Sequence, residues 1–388
     1  MHKMIKIVCI LSAMAILLNG MLVLVDAAEP VAAQLDIKAK SAVLMEASTG
    51  KILFEQNSHE RLRPASVTKV MTMLLIMEAL DSNKISLDDM VVCSEYAASM
   101  GGSQIYLEPG EQMSVHDLLK AIAVASANDA SVAMAEHISG SEQAFVAAMN
   151  EKAKQLGMND TNFVNCNGLD TDGHYTSAYD LAIVSRELLK HPKIFDYTTI
   201  WTDSLRNGEW SLANTNKLIR FYTGANGLKT GSTSKALYCL SATAKRDDMQ
   251  LIATVMASPT SKDRFADATK LLDFGFANYA VAHGTSAGEK LGEMQVLKGI
   301  NNRVDMIISS DFDVLVPKGK QGNIEKKIEV SDTVLAPVDK GQKVGEMKFL
   351  LDGKEIGKVD IVTGEAVGKV TAPKVFIRLL KSWLNARE

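Results

Sequence analysis

Cysteine is scarce in this chain. Its 388 residues hold four, and Cys9 falls inside an apolar N-terminal run. Cys93, Cys166 and Cys239 remain. That odd number, at wide spacing, argues against a disulfide framework and against a close-spaced metal site. They are expected as small buried residues. Cys166 sits among loop residues, where exposure is the alternative. Excess charge is also lacking: 42 Lys and Arg against 46 Asp and Glu leave a net −4. No long basic run occurs, so a nucleic-acid-binding surface is not expected. There is no internal repeat and no low-complexity tract. What is present, 47% hydrophobic and 23% charged residues, is ordinary for a globular chain long enough for two or three domains.

The N-terminus departs from that average. Lys3 and Lys6 precede an apolar run from Ile7 to Val25, and Val25-Asp26-Ala27 follows with small residues. Residues 1–27 read as a signal peptide cleaved after Ala27, which predicts export. An uncleaved membrane anchor is the competing reading. Asn19-Gly20 interrupts the run and favours the signal.

Downstream, Val43-Leu44-Met45 and Ile52-Leu53-Phe54 flank Thr49-Gly50 and predict a hairpin. A helix is expected from Pro64 to about Leu80, with Pro64 near its start. Residues 81–113 read as mixed loop. Further helices are expected at Val115 to about Ser126, from Asn128 to His137, over Glu142 to Leu156, over Ala178 to Leu189, and from about Lys262 to Phe274. Leu237–Ala244 and Leu251–Ala257 read as strands joined at Arg246-Asp247-Asp248. Helices followed by adjacent hairpin strands predict an α/β domain with a largely antiparallel sheet, spanning 28–278. Residues 279–370 carry short alternating strands and read as a small all-β domain. Residues 371–388 close the chain with an amphipathic helix.

Three short motifs occur in order. Ser66 and Lys69 stand three apart on one helical face, with Ser66 in the first turn, where free N–H groups and the helix dipole favour negative charge. A serine there, with an amine in reach, is a candidate activated nucleophile. Ser126-Ala127-Asn128 falls at the predicted break between two helices. Lys229-Thr230-Gly231-Ser232 enters a strand. Each motif alone also reads as a helix start, a cap or a solvated turn. The set, in this order and context, is far more specific.

On these motifs the chain resembles penicillin-binding proteins of the low-molecular-mass D-alanyl-D-alanine carboxypeptidase family, S11-like serine peptidases. Ser103-Gln104-Ile105-Tyr106-Leu107, Ser126 through Ala130, Gly168-Leu169 through His174, and Gly227 through Gly231 extend the likeness over nearly the whole chain after residue 27. The resemblance implies a β-lactamase/transpeptidase-like catalytic domain. It also implies removal of the terminal D-alanine from peptidoglycan pentapeptides, without metal or cofactor, and sensitivity to β-lactams. Ser66 would attack the carbonyl between the two D-alanines. Lys69, its pKa lowered by burial or by a neighbouring cation such as Lys229, would take the proton. Ser126 would relay a proton to the leaving amine, and Asn128 would orient Lys69 and the substrate amide. The N–H groups of Ser66 and Ser232 would hold the oxyanion. Lys229, Thr230 and Thr233, with Gly231 between, would hold the terminal carboxylate. Arg264 is a further carboxylate candidate, against a helix-surface arginine paired with Asp263 or Asp267. His174 is either site-lining or structural.

Rival readings remain in view. A class A β-lactamase needs a glutamate four residues before an asparagine, between the second and third motifs. Glu142, Glu151, Glu187 and Glu209 are followed by Val146, Gln155, His191 and Ala213 instead. An endopeptidase or transpeptidase would use the same residues. A non-catalytic wall-peptide binder is expected only if Ser66 or Lys69 were missing. The closing segment carries Val375, Phe376, Leu379, Leu380, Trp383 and Leu384 on one face and Lys374, Arg378, Lys381 and Arg387 on or beside the other. It is too short to cross a bilayer of roughly 30 Å, and is expected to lie in the interface at the outer face of the cytoplasmic membrane.

Overall fold

The computed structural model describes residues 35–371, 373 and 376. The expected signal segment 1–27 and the expected amphipathic face over 375–384 lie outside the described residues, Phe376 excepted.

A five-stranded sheet organises the first part. Its strands are β1 (Ser41–Glu46), β2 (Ile52–Gln56), β3 (Ala225–Thr233), β4 (Leu237–Arg246) and β5 (Met249–Ser258), in the order β2-β1-β5-β4-β3. Every neighbouring pair is antiparallel. The central strands are buried on both faces, which is why they read as continuous apolar runs rather than alternating ones. The longer helices are α1 (Lys69–Asp81), α2 (Val115–Val124), α3 (Asn128–Ser139), α4 (Glu142–Gln155), α5 (Ala178–Leu188) and α6 (Ser261–Asn278). Helix α6 covers one sheet face, with Leu44 and Leu251 reaching it at Gly275. Helix α5 covers the other: Thr254 Oγ1 donates to the Ala178 carbonyl at 2.8 Å, and the Ser185 and Ser241 hydroxyls meet at 2.7 Å.

Helix α1 is buried nearly all round, from Lys69 through Leu80. A helix without a polar face belongs in a core, and this one runs through the main hydrophobic cluster with the other helices around it. The stretch 81–113, read as loop, contains a short antiparallel pair, Met90–Val92 with Gln112–Ser114, and a helical turn at Glu95–Ala98. Elements of three or four residues leave too short a pattern for periodicity to find. The irregular stretch after Trp201 similarly hides the pair Thr202–Leu205 and Trp210–Ala213.

The chain then turns all-β: β6 (Tyr279–Thr285), β7 (Lys290–Leu297), β8 (Arg303–Ile308), β9 (Phe312–Pro317), β10 (Ile324–Val330), β11 (Thr333–Leu335), β12 (Lys343–Leu351) and β13 (Lys354–Thr363). Six form a sheet ordered β10-β12-β13-β8-β7-β11, and β6 pairs with β9. Among the described strands only the β7–β11 pair is parallel. Met294, Val296, Val304, Phe349 and Ile361 fill a separate core.

Candidate active site

Ser66 lies in a 3-10 turn, Ala65–Thr68, that leads directly into α1. Two glycines hold this turn from either side. A Cβ on Gly231 of β3 would stand 2.8 Å from Pro64 O, Ser66 N and Val67 N. Gly168 has φ +89°, and a Cβ there would fall 1.9 Å from the Ala65 carbonyl oxygen. Only glycine permits both approaches. The strand carrying Lys229 and the loop ending at His174 are thereby fixed against the nucleophile's turn.

Lys69 is fully buried at the first position of α1. Its Nζ lies 2.6 Å from Asn128 Oδ1, 2.6 Å from the Asn167 carbonyl oxygen and 3.2 Å from Ser66 Oγ. Burial pushes its pKa down to about 7; Asp129 and Cys166 pull weakly the other way. The cause is therefore desolvation rather than a neighbouring cation. A neutral amine has two N–H donors and one lone pair. When the amine is neutral, the two shorter contacts can use those donors, which leaves its lone pair for the Ser66 hydroxyl.

Asn128 opens α3 and is tied at both ends of its amide, since Nδ2 donates to the Gly101 carbonyl at 2.6 Å. Its backbone N–H donates to Ser103 O at 2.8 Å. The adjacent Asp129 carboxylate accepts from Ile105 N and Leu107 N. The segment 101–107 is thus strapped to the start of α3. Ser126 sits at the break between α2 and α3, buried, with φ +66°. A non-glycine residue in the left-handed region there is held by its surroundings.

Lys229 is also fully buried; its Nζ donates to the Thr230 carbonyl at 3.0 Å. Burial, then Lys69 and Arg264, push its pKa well below the usual lysine value. Thr230 Oγ1 donates to Thr215 Oγ1 at 2.7 Å. Ser232 is exposed, and Thr233 Oγ1 accepts from Ala236 N at 2.9 Å.

Arg264 is neither on the helix surface nor paired with Asp263 or Asp267. It is buried, and Nη1 donates to the carbonyls of Gly231 at 3.0 Å and Cys239 at 3.3 Å. Asp263 takes the Lys38 ammonium instead, and Asp267 takes the Lys38 and Ala39 N–H groups. Arg264 therefore braces β3 and β4 behind the lysine motif. His174 is structural: buried, with Nδ1 accepting from Val164 N at 2.9 Å and Nε2 lying 2.8 Å from Thr68 Oγ1. Cys166 is buried, not exposed. Thr72 holds its carbonyl, and Glu142 accepts from its N–H. The other Glu142 oxygen accepts from Tyr96 at 2.7 Å, so both are engaged within the protein.

Two site residues carried no sequence signal. Thr215 lies in an irregular polar stretch, and Asn167 contributes through its backbone, which no residue type betrays.

The sequence profile of D-alanyl-D-alanine carboxypeptidases matches residues 27–260, and that of the penicillin-binding protein 5 C-terminal domain matches 282–369. The chain is 47% identical to D-alanyl-D-alanine carboxypeptidase DacF of Bacillus subtilis, over 89% of this chain and 90% of that one. The crystal structure of penicillin binding protein 5 from Haemophilus influenzae superposes with a TM-score of 0.79 at 36% identity, over 86% of this chain and 99% of that one. Penicillin-Binding Protein D2 of Listeria monocytogenes in its ampicillin-bound form matches with a TM-score of 0.57 at 34% identity, over 62% of this chain and 99% of that one. The chain belongs to the serine-type D-alanyl-D-alanine carboxypeptidases of peptidase family S11, in the low-molecular-mass group that resembles penicillin-binding protein 5.

Proposed function

We propose that the reaction runs through an acyl-enzyme on Ser66, on peptidoglycan pentapeptides ending in D-alanyl-D-alanine. Neutral Lys69 takes the Ser66 proton as Oγ attacks the carbonyl between the two D-alanines. The new C–O bond forms, the C–N bond breaks, and Ser126 relays the proton that Lys69 took from Ser66 to the departing D-alanine amine, which leaves Lys69 neutral again. The N–H groups of Ser66 and Ser232 hold the oxyanion. Water then attacks the ester and gives a proton to Lys69, which returns it to Ser66 Oγ as the acyl C–O bond breaks. Lys229 and the hydroxyls of Thr230 and Thr233 hold the terminal carboxylate. Arg264 acts through the Gly231 carbonyl rather than on the substrate. The observation that carries this reading is the Lys69 amine, fully buried and 3.2 Å from Ser66 Oγ.

The same attack on a β-lactam ring would leave a stable acyl-enzyme. The ampicillin-bound Listeria relative supports it. Incubation with penicillin should add one acyl group to the intact mass of the wild-type protein and none to Ser66→Ala. Labelling of Ser66→Ala at the wild-type rate would remove Ser66 from the mechanism. We place the protein outside the cytoplasmic membrane, exported by residues 1–27 and held at the outer face by its terminal helix. No helix among the described residues is long and apolar enough to cross a membrane.

A further inference from the structure

Large apolar side chains face outward at the β11 edge of the β-rich domain. Leu335 on edge strand β11 is 57% exposed, Leu297 on β7 is 42% exposed, and Ile300 just beyond β7 is 40% exposed. Register makes Leu297 and Leu335 direct partners in the parallel pair, so they project on the same face. Alternation explains the direction: Met294 and Val296 of β7 enter the core, which sends Leu297 the other way.

The end of the described chain is sewn to this edge. Ile300 N donates to Gly368 O, Gly299 bridges Lys369, and Val370 N donates to Lys298 O at 2.8 Å. Lys298 and Lys369 are exposed on these two strips of chain. The described chain therefore runs to Val370 beside the three apolar side chains. Residues 372–388 continue the same chemistry in sequence, with Phe376, Leu379, Leu380 and Trp383 among Lys374, Arg378 and Lys381.

We propose that Leu297, Ile300 and Leu335, flanked by Lys298 and Lys369, form a second membrane contact that seats the β-rich domain on an anionic lipid surface next to the terminal helix. Apolar side chains enter the headgroup–acyl boundary while the lysine ammonium groups stay among phosphates. A contact on the domain itself fixes how the catalytic cleft is presented to that surface. A second copy fits this edge less well, because a two-fold pairing would bring like-charged lysines together. The inference rests on the membrane placement proposed above, and its test separates the two.

The test uses the full chain after residue 27, binding to vesicles of phosphatidylcholine with and without phosphatidylglycerol. The double substitution Leu297→Gln with Leu335→Gln should weaken binding about tenfold and leave hydrolysis of a soluble peptide unchanged. Lys298→Gln with Lys369→Gln should weaken binding to the anionic vesicles alone. Leu379→Gln with Leu380→Gln reports on the terminal helix separately. Loss of binding in that variant, with none in the Leu297/Leu335 variant, would overturn the second contact and keep the helix. The reverse pattern would keep the contact and remove the helix. A change of the Leu297/Leu335 variant in sedimentation, with vesicle binding intact, would assign the edge to a second copy and overturn the proposal.

Discussion

His174 Nε2 lies 2.8 Å from Thr68 Oγ1, and the two residues form a buried chain that ends on the nucleophile's turn. Val164 N–H occupies Nδ1, so the ring proton sits on Nε2 and is donated to Thr68. Thr68 in turn donates to the Ala65 carbonyl at 2.9 Å, where the backbone has φ +51°. His174 touches no reacting atom. It positions the turn that aims Ser66.

His174→Ala should therefore slow penicillin acylation by about ten- to a hundredfold, with a smaller change in the concentration needed for half-maximal rate. His174→Gln, whose amide can still reach Thr68, should recover part of that rate. Stopped-flow acylation of both variants checks it. Equal rates in the wild type and His174→Ala would remove the positioning role.

The same ring predicts an acid-sensitive fold. Burial lowers the His174 pKa from 6.5 to about 4. As pH falls below 6.5, the unfolded chain gains a proton that the folded chain refuses, so stability drops until about pH 4, where both forms are protonated. The shift corresponds to about 3 kcal/mol across that window, with the full contribution present above pH 6.5. Denaturant midpoints measured between pH 7 and pH 4 should fall less steeply in His174→Gln than in the wild type.

Much of this was legible in the sequence because the chemistry sits in local patterns. Three-residue spacing placed Ser66 and Lys69 together, and their side chains meet at 3.2 Å. The apolar runs at Leu237 and Leu251 marked the sheet. What sequence missed lies between distant segments. Arg264 faces the Gly231 carbonyl across 33 positions, while its near neighbours Asp263 and Asp267 turn to Lys38 and Ala39. Burial of Cys166, expected for a scarce cysteine but open to doubt from its loop surroundings, follows from Thr72 and Glu142 closing over that loop.

The roles of the two buried lysines should separate on substitution. With the Lys69 pKa near 7, the neutral amine becomes the major form as pH rises through that value. Acylation should therefore increase with pH through about 7 and level off above it. Lys69→Arg cannot supply a neutral base and should lose acylation at every pH. Lys229→Arg, keeping a cation for the carboxylate, should retain measurable activity with weaker binding. Equal tolerance at both positions would refute this division.

Arg264 offers a test of indirect action. Its guanidinium donates to Gly231 and Cys239 and lies over the rings of Tyr238 and Phe265, at 5.5 and 4.8 Å from their centres. A lysine keeps the charge but not the planar fork. Arg264→Lys should lower acylation by about tenfold, even toward substrates whose terminal carboxylate is blocked as a methyl ester. An effect confined to the free carboxylate would instead put Arg264 on the substrate.

Gly231 is the sharpest single-atom probe of the site. A methyl group there meets Pro64 O, Ser66 N and Val67 N, all backbone atoms at 2.8 Å, so no side chain can move aside. Either β3 or the Ser66 turn must shift by several tenths of an ångström. The core beneath is untouched, and overpacking of this kind costs about 1–3 kcal/mol, which a chain of this size tolerates while folded. The chemistry should suffer far more, because the shift separates Ser66 from Lys229, Thr230 and the Ser232 N–H together. Gly231→Ala should keep the wild-type circular dichroism spectrum and melt a few degrees lower, yet acylate at least a hundredfold more slowly. Wild-type labelling by this variant would mean that the strand is free to move relative to the nucleophile, and that the close approach at Gly231 does not set the geometry of the site.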